Sequence, residues 1–337
     1  MNASSISILL PVRNAVPFLS ECLASIRAQS IEDWELLAID DHSTDDSPAI
    51  LQAAARDDSR IRVFANQGRG IIEALRLAYR KSSGQFITRM DADDWMPSNK
   101  LAVLRQQLLH TGPGHLATGL VSYFSDADTG LGDGYKKYQD WLNALTLEGR
   151  NFEDRYRECV IPSPCWMLYR SDLDKAGAFA SNIYPEDYDL CFRFYQAGLK
   201  VIPCDTLLHH WRDSPGRSSR TDPHYADNRF LDLKLHYFLH LDRVEHQPLV
   251  LWGAGKKGKW LARQLMDSKK HFHWICNNPS KIGKDIYGQR LYGPDRLSSL
   301  SQPQLIIAVA GQEAQAQIKA SLQIQGCDQL QAVFFFC

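Results

Sequence analysis

The sequence predicts an α/β protein built on open, largely parallel sheets, and three observations predict it. Short apolar runs alternate with stretches that carry apolar residues at helical spacing, the mark of strand–helix–strand units. Two Asp-rich segments follow two of these runs, and the carboxyl ends of strands are where ligands bind in such sheets. Late in the chain a further apolar run leads into Gly253-Ala254-Gly255-Lys256-Lys257-Gly258, a turn that lets a strand pass directly into a helix.

The elements follow in order. Ser5–Leu10 reads as a buried strand ended by Pro11. Phe18–Gln29 places Leu19, Cys22, Leu23 and Ile26 on one helical face. Glu35–Ile39 is the second strand, closed by Asp40-Asp41-His42-Ser43-Thr44-Asp45-Asp46. Ser47–Asp57 is a helix with Ser47 as N-cap and Pro48 in its first turn. Ile61–Phe64, the helix Ile71–Lys81, the strand Gln85–Met90 and the helix Asn99–His110 complete the pattern. Residues 112–165 are less periodic, with a loop leading into an amphipathic helix around "GDGYKKYQDWLNALT". Ile161–Arg170 looks like a strand entered through a rigid turn; its Trp166 suits either a sugar-ring platform or the core. Tyr184–Phe194 reads as a turn feeding a helix.

At about 150 residues per domain, 337 residues allow two domains. Charge locates the division. Residues 247–337 hold 11 Lys and Arg against 5 Asp and Glu, whereas residues 1–246 hold 27 against 34, so a net charge of -1 conceals an acidic front and a basic back. This balance disfavours a whole-chain nucleic-acid binder, which needs a clear positive excess. No apolar run approaches the ~18 residues of a membrane span. The first residues lack the basic and apolar regions of a secretory signal, and the eight cysteines form no CxxC pair. A cytoplasmic protein with reduced thiols is expected.

Asp91-Ala92-Asp93-Asp94 sets three carboxylates within four residues, an arrangement costly to hold without a cation. Mg²⁺ or Mn²⁺ is bound by carboxylates together with substrate phosphates. A solvated loop with a helix cap accounts for the same residues. Alone, the second cluster, Asp40–Asp45, reads as a turn with helix-capping residues; its place at an adjacent strand end also suits a nucleotide contact, a carboxylate accepting the imide N–H of a uracil ring.

Taken together, these segments resemble family 2 glycosyltransferases. "ILLPVRN" (8–14) is similar to their opening strand, "LLAIDDHSTD" (36–45) to their nucleotide loop, "NQGRGIIEAL" (66–75) to their donor loop, and "FITRMDADDWMPSNKL" (86–101) to their metal-binding DxD segment. The resemblance implies a GT-A fold, a nucleotide-sugar donor and Mn²⁺ or Mg²⁺. It places Pro11, Val12, Arg13, Asp41, Gly68, Asp91 and Asp93 at the donor, with Asp93 on the metal. Glu186-Asp187 resembles the family's Glu-Asp motif, which makes Asp187 the catalytic base and gives Glu186 a positioning role. In the stretch His209–Arg220, His210 is the candidate second metal ligand, and Arg212, Arg217 and Arg220 are candidates for phosphate. Many relatives carry Tyr or Phe where Arg13 stands and Gly where His42 stands, which leaves the base open.

The back part reads as a strand Pro248–Trp252, a GxGxxG turn, a helix Lys259–Asp267, a strand His271–Cys276, a strand Leu305–Ala310, a helix Glu313–Gln325 and a strand Ala332–Phe336. A dinucleotide site wants an acid about 20 residues beyond the glycines; Asn277-Asn278 stands there. The expectation is a Rossmann-like domain, residues 247–337, resembling nucleotide-binding-like domains appended to some family 2 glycosyltransferases. Gly253, Gly255 and Gly258 then form an anion site at a helix N-terminus, or only a tight turn.

The resulting expectation is an inverting, metal-dependent glycosyltransferase with a GT-A domain over residues 1–246. It moves a sugar, from a UDP-sugar by first choice, to a cell-surface glycan or lipid-linked acceptor. Peripheral membrane association at the inner face and oligomer formation through the C-terminal domain are compatible with it. The alternatives are a non-catalytic nucleotide-binding or regulatory protein with a degenerate site, and an NAD-dependent enzyme built on the GxGxxG turn.

Overall fold

A computed structural model describes residues 6–126, 130–214, 229–324 and 332–337. The chain divides into two compact units. One comprises Met1–Glu153 and Cys159–Asp222, the other Asp154–Glu158 and Pro223–Cys337.

In the first unit β1 (Ile6–Val12), α1 (Val16–Arg27), β2 (Trp34–Asp40), α2 (Ser47–Asp57), β3 (Ile61–Ala65), α3 (Ile71–Lys81), β4 (Phe86–Arg89) and α4 (Lys100–Thr111) alternate as the periodicity predicts. Then come β5 (His115–Thr118), β6 (Leu120–Phe124), α5 (Asp133–Glu148), β7 (Trp166–Tyr169), α6 (Arg170–Lys175), α7 (Glu186–Gln196), β8 (Lys200–Val201) and β9 (Leu207–Arg212). The main sheet has the order β3-β2-β1-β4-β7-β5-β8, and β6 pairs with β9 apart from it. Strands β1 to β4 are parallel, and β7 runs antiparallel to β4 and β5. Ile6, Ile8, Leu9 and Leu10 of β1 and Leu36 to Ile39 of β2 are fully buried. That continuous burial is what a parallel strand covered on both faces requires.

The first strand is longer than its sequence suggests. Pro11 lies inside it, paired in register with Ile39, and Val12 pairs with Asp40. The carbonyl of Leu9 accepts from Met90 N–H on the β4 side, so Pro11, two residues on, faces the same side. Pairing with β4 ends at Leu9 and Arg89. The missing N–H of Pro11 therefore faces beyond the last rung, where no ladder bond is lost. Trp166 is 2% exposed and packs edge-on against Phe194, so it belongs to the core. Parallel alignment of β1, β2, β3 and β4 brings the loops after all four to one edge of the sheet.

The second unit contains α8 (Arg229–Tyr237), β10 (Leu249–Trp252), α9 (Lys256–Asp267), β11 (His273–Ile275), a hairpin of β12 (Asp285–Ile286) and β13 (Gln289–Tyr292), β14 (Gln304–Ile307), α10 (Gln312–Ile324) and β15 (Val333–Phe335). Its sheet order is β12-β13-β11-β10-β14-β15. All neighbours are parallel except the hairpin. The strand–turn–helix pattern begins just past residue 247, as its sequence suggests. Aromatic packing also gathers earlier residues into this unit: Tyr156 stacks on Phe336 at 5.2 Å, and Phe238 meets Phe334 at 5.0 Å. Among the described residues, no helix is long and apolar enough to cross a membrane, and the described cysteines are free thiols.

The glycine turn separates into two kinds of position. A Cβ on Gly258 would lie 2.0 Å from the Gly253 carbonyl oxygen, and Gly253 itself adopts φ +130°. Both are glycine because backbone meets backbone. A Cβ on Gly255 would meet nothing within 4 Å. Gly258→Ala is therefore expected to destabilise this unit by about 1–3 kcal/mol, and Gly255→Ala to stay within about 0.5 kcal/mol. Denaturant unfolding followed by tryptophan fluorescence measures both, and equal effects would refute the distinction.

Candidate active site

The loops after β2 and β3 are tied together at the sheet edge. Asp41 is 5% exposed. Its carboxylate accepts from Asn66 Nδ2 at 2.7 Å and from the Gly70 N–H at 3.0 Å. His42 adopts φ +57°, a left-handed conformation that His tolerates better than most residues, and its Nε2 lies 2.7 Å from the Gly68 carbonyl oxygen. A Cβ on Gly68 would press on the Glu73 side chain at 2.7 Å. Pro11 is half-buried, Val12 buried and Arg13 exposed. Asn14 accepts from the Thr44 N–H at 2.8 Å and so links the first two loops.

The acidic segment after β4 is held from beneath. Asp91 and Asp93 are partly exposed, whereas Asp94 is buried. Arg89, 5% exposed, donates from Nε to Asp91 at 3.0 Å. Asp94 accepts from His209 Nε2 at 2.9 Å and from the Arg212 N–H at 2.8 Å. On the far side of the His209 ring, Lys100 Nζ lies 3.1 Å from Nδ1 and donates to the Pro164 carbonyl at 2.6 Å. Burial lowers the pKa of Lys100. His210, next in the chain, stacks on Trp95 with ring centres 3.6 Å apart. Its half-buried ring has a lowered pKa, which favours the neutral imidazole that a metal requires.

Glu186 and Asp187 open α7, where the helix dipole favours acids. Glu186 accepts from Arg89 at 3.2 Å. A single buried guanidinium thus joins the DxD segment to the Glu-Asp motif. Asp187 is partly exposed. Its carboxyl is pushed up to about 7, first by desolvation and then by the negative charge of Glu186, with Arg89 acting in the opposite direction. The preceding segment is clamped by Arg76, which donates to the carbonyls of Phe179, Ala180 and Ser181 at 2.6, 2.7 and 2.9 Å. The Tyr184 hydroxyl lies 3.2 Å from the point where a Cβ on Gly70 would sit, so the motif borders the loop after β3.

The structure therefore gathers Asp41, Gly68, Asp91, Glu186 and Asp187 into linked loops. Among the described residues, no group of three or more His, Cys, Asp or Glu side chains is arranged to hold a metal ion. Arg212 does not present itself to phosphate: it is 4% exposed and pairs with Glu21 and Asp126. Arg217 and Arg220 lie outside the described residues. In the second unit Gly253 and Gly255 border a cleft with Trp252, Asn277 and Lys281. Asn277 there accepts from Trp252 Nε1 at 2.5 Å, and Lys281 Nζ donates to the Ala254 carbonyl at 2.9 Å. Sequence reading missed Arg89 and Lys100; it counted Asp94 within the acidic cluster but not its bonds to His209 and to the Arg212 main chain. The one available signal was an arginine inside the strand-like run Phe86-Ile87-Thr88-Arg89-Met90. Arg89→Met leaves two carboxylates without their cation and is expected to cost about 3–5 kcal/mol. Adding Glu186→Gln should restore part of that loss in chemical denaturation, and strictly additive costs would refute the pairing.

The model of the family "Glycosyl transferase family 2" matches residues 7–177. The chain is 26% identical over 223 residues, 64% of its length, to the glycosyltransferase GlyG of Streptococcus pneumoniae, and the match spans 73% of that protein. It spans smaller shares, 31% and 62%, of two further curated relatives. Among solved structures, S. aureus TarS 1-349 in complex with UDP-GlcNAc superposes with a TM-score of 0.54 at 16% identity, covering 72% of this chain and 68% of that one. The mannosyltransferase PcManGT of Pyrobaculum calidifontis, in complex with GDP-Man and Mn²⁺, gives 0.52 at 15% identity over 98% and 86%. The fold is that of the GT-A glycosyltransferases, and with the family model matching half its length the chain belongs to glycosyl transferase family 2.

Proposed function

We propose that the first unit is an inverting glycosyltransferase that takes a sugar from a UDP-sugar, uses Mn²⁺ or Mg²⁺, and delivers it to a hydroxyl of a cell-surface glycan or lipid-linked acceptor. The observation that carries this reading is the Arg89 bridge from Asp91 to Glu186, which sets the donor-side and base-side motifs against one another. The donor set suits a hard cation: one or two carboxylates at a strand end, completed by substrate phosphates. Asp93 would hold it, with His210 as the second candidate, and when bound it supplies positive charge to the departing diphosphate.

The chain's own residues do the remainder. Asp41, oriented by Asn66 and Gly70, keeps acceptor capacity on its carboxylate for a uracil imide N–H. Pro11, Val12 and Arg13 border the base, Gly68 leaves room in the donor loop, and Asp91 takes a ribose or sugar hydroxyl. Asp187 accepts the proton of the acceptor hydroxyl as that oxygen attacks the anomeric carbon opposite the nucleotide. One displacement inverts the configuration. For the second unit the reading is an anion site at the start of α9, supported by the open space at Gly255 and by Lys281 beside the turn.

Incubation with a panel of nucleotide sugars and Mn²⁺, followed by NMR of the product anomer, tests the reaction; a retained configuration would overturn it. Asp187→Asn is expected to lower kcat by about 10²–10⁴-fold while leaving donor binding intact. A base must be ionised to act, and the Asp187 carboxyl is raised to about 7. kcat/KM should therefore be level above that pH and fall about tenfold per unit below it. Arg89 holds this pKa down, so Arg89→Met should move the acid limb to higher pH. A limb that stays in place would remove Asp187 as the titrating base.

A further inference from the structure

We infer that Arg212 is a positioning residue for the metal ligand Asp93, an inference that rests on the metal-dependent reading above. The guanidinium of Arg212 is almost wholly buried, yet each of its nitrogens has a partner. Nε donates to the Asp93 main-chain carbonyl at 2.7 Å. The two terminal nitrogens pair with Asp126 and Glu21. Its faces are covered by aromatic rings, with the guanidinium carbon 4.7 Å from the Phe18 centroid and 4.4 Å from that of Phe124. Its main-chain N–H donates to Asp94. One residue of β9 thus holds two consecutive residues, Asp93 by its side chain and Asp94 by its main chain, and its guanidinium anchors Asp93 against Glu21 of α1 and Phe124 of β6.

The geometry exceeds what charge balance demands. Glu21 and Asp126 are 56% and 60% exposed, so water can solvate both without help. Neither needs Arg212, whereas a buried arginine needs them. What the arrangement fixes is the carbonyl of Asp93, and with it the direction in which the Asp93 carboxylate leaves the backbone. Lys100 completes the brace. An ammonium only donates, so His209 Nδ1 accepts from it and Nε2–H is left to bind Asp94. Groups beneath a metal ligand orient it in this manner and tune affinity without touching the ion.

Arg212→Lys keeps the charge but loses the planar fork and the stacking. Titration of the full chain with Mn²⁺ in the presence of UDP, read by loss of the free-ion EPR signal, measures affinity independently of turnover. Arg212→Lys and Arg212→Ala are expected to weaken Mn²⁺ binding by about 10–100-fold, while UDP alone binds as to wild type. A folded Arg212→Lys with unchanged Mn²⁺ affinity overturns the inference. Should both variants fail to fold, Glu21→Gln removes one exposed partner only; it should weaken Mn²⁺ binding measurably, and wild-type affinity there also overturns the inference. Asp93→Asn separates the two levels. If it binds Mn²⁺ as tightly as wild type, the metal reading falls and this inference with it. If Asp93→Asn loses the ion and Arg212→Lys does not, the positioning role alone is refuted.

Discussion

Negative charge gathered at the end of β4 is the constraint on which the rest of the site depends. Asp91, Asp93, Asp94, Glu186 and Asp187 come from two distant stretches of chain, and carboxylates removed from water repel one another unless cations are set among them. Three buried basic residues stand there: Arg89 bonds Asp91 and Glu186, Lys100 lies behind the His209 ring that bonds Asp94, and Arg212 bonds the Asp93 carbonyl. Each approaches from a different element: the strand that carries the acids, the helix that follows them, and a strand over a hundred residues later. The fold must therefore be complete before the cluster is tolerable, and cluster and fold stabilise one another.

The parallel sheet was legible because its strands are buried on both faces and its helices are amphipathic, so local pattern and tertiary environment agree. Agreement failed where the chain turns back on itself. The strands β5 and β8 are short, β9 pairs with β6 apart from the main sheet, and β7 inserts antiparallel between β4 and β5. Their residues are placed by partners far along the chain, which periodicity does not encode. Pro11 misled for a related reason: a proline ordinarily ends a strand, but here its absent donor points past the end of a neighbour whose length the local sequence does not reveal.

The site divides in the same way. Asp91, Asp93, Glu186 and Asp187 stood out only through their resemblance to family motifs, since clustering alone suits a solvated loop or a helix start equally well. The roles of the basic residues beside them did not stand out. Arg89 and Lys100 sit at apolar-looking positions in a strand and a helix, and Arg212 stands in a stretch whose resemblance suggested phosphate. A basic residue reveals its role only through what surrounds it, and for these three the surroundings are assembled by topology.

The placement of Arg89 also explains how one acid in this crowd can be distinguished from the others. A guanidinium bonded directly to Asp187 would hold its carboxyl in or below the ordinary range. Desolvation and Glu186 raise it, and Arg89 acts against them. Arg89 is bonded to Glu186 and Asp91, one step from Asp187. It offsets part of the repulsion without quenching the acid, and the carboxyl settles near 7. Glu186 thereby has two effects on its neighbour: its own charge raises the proton affinity of Asp187, and its bond to Arg89 fixes the cation that lowers it. A carboxylate pair at the start of a helix is common, since the helix dipole favours acids there; what sets this pair apart is a buried arginine bonded to the first of them.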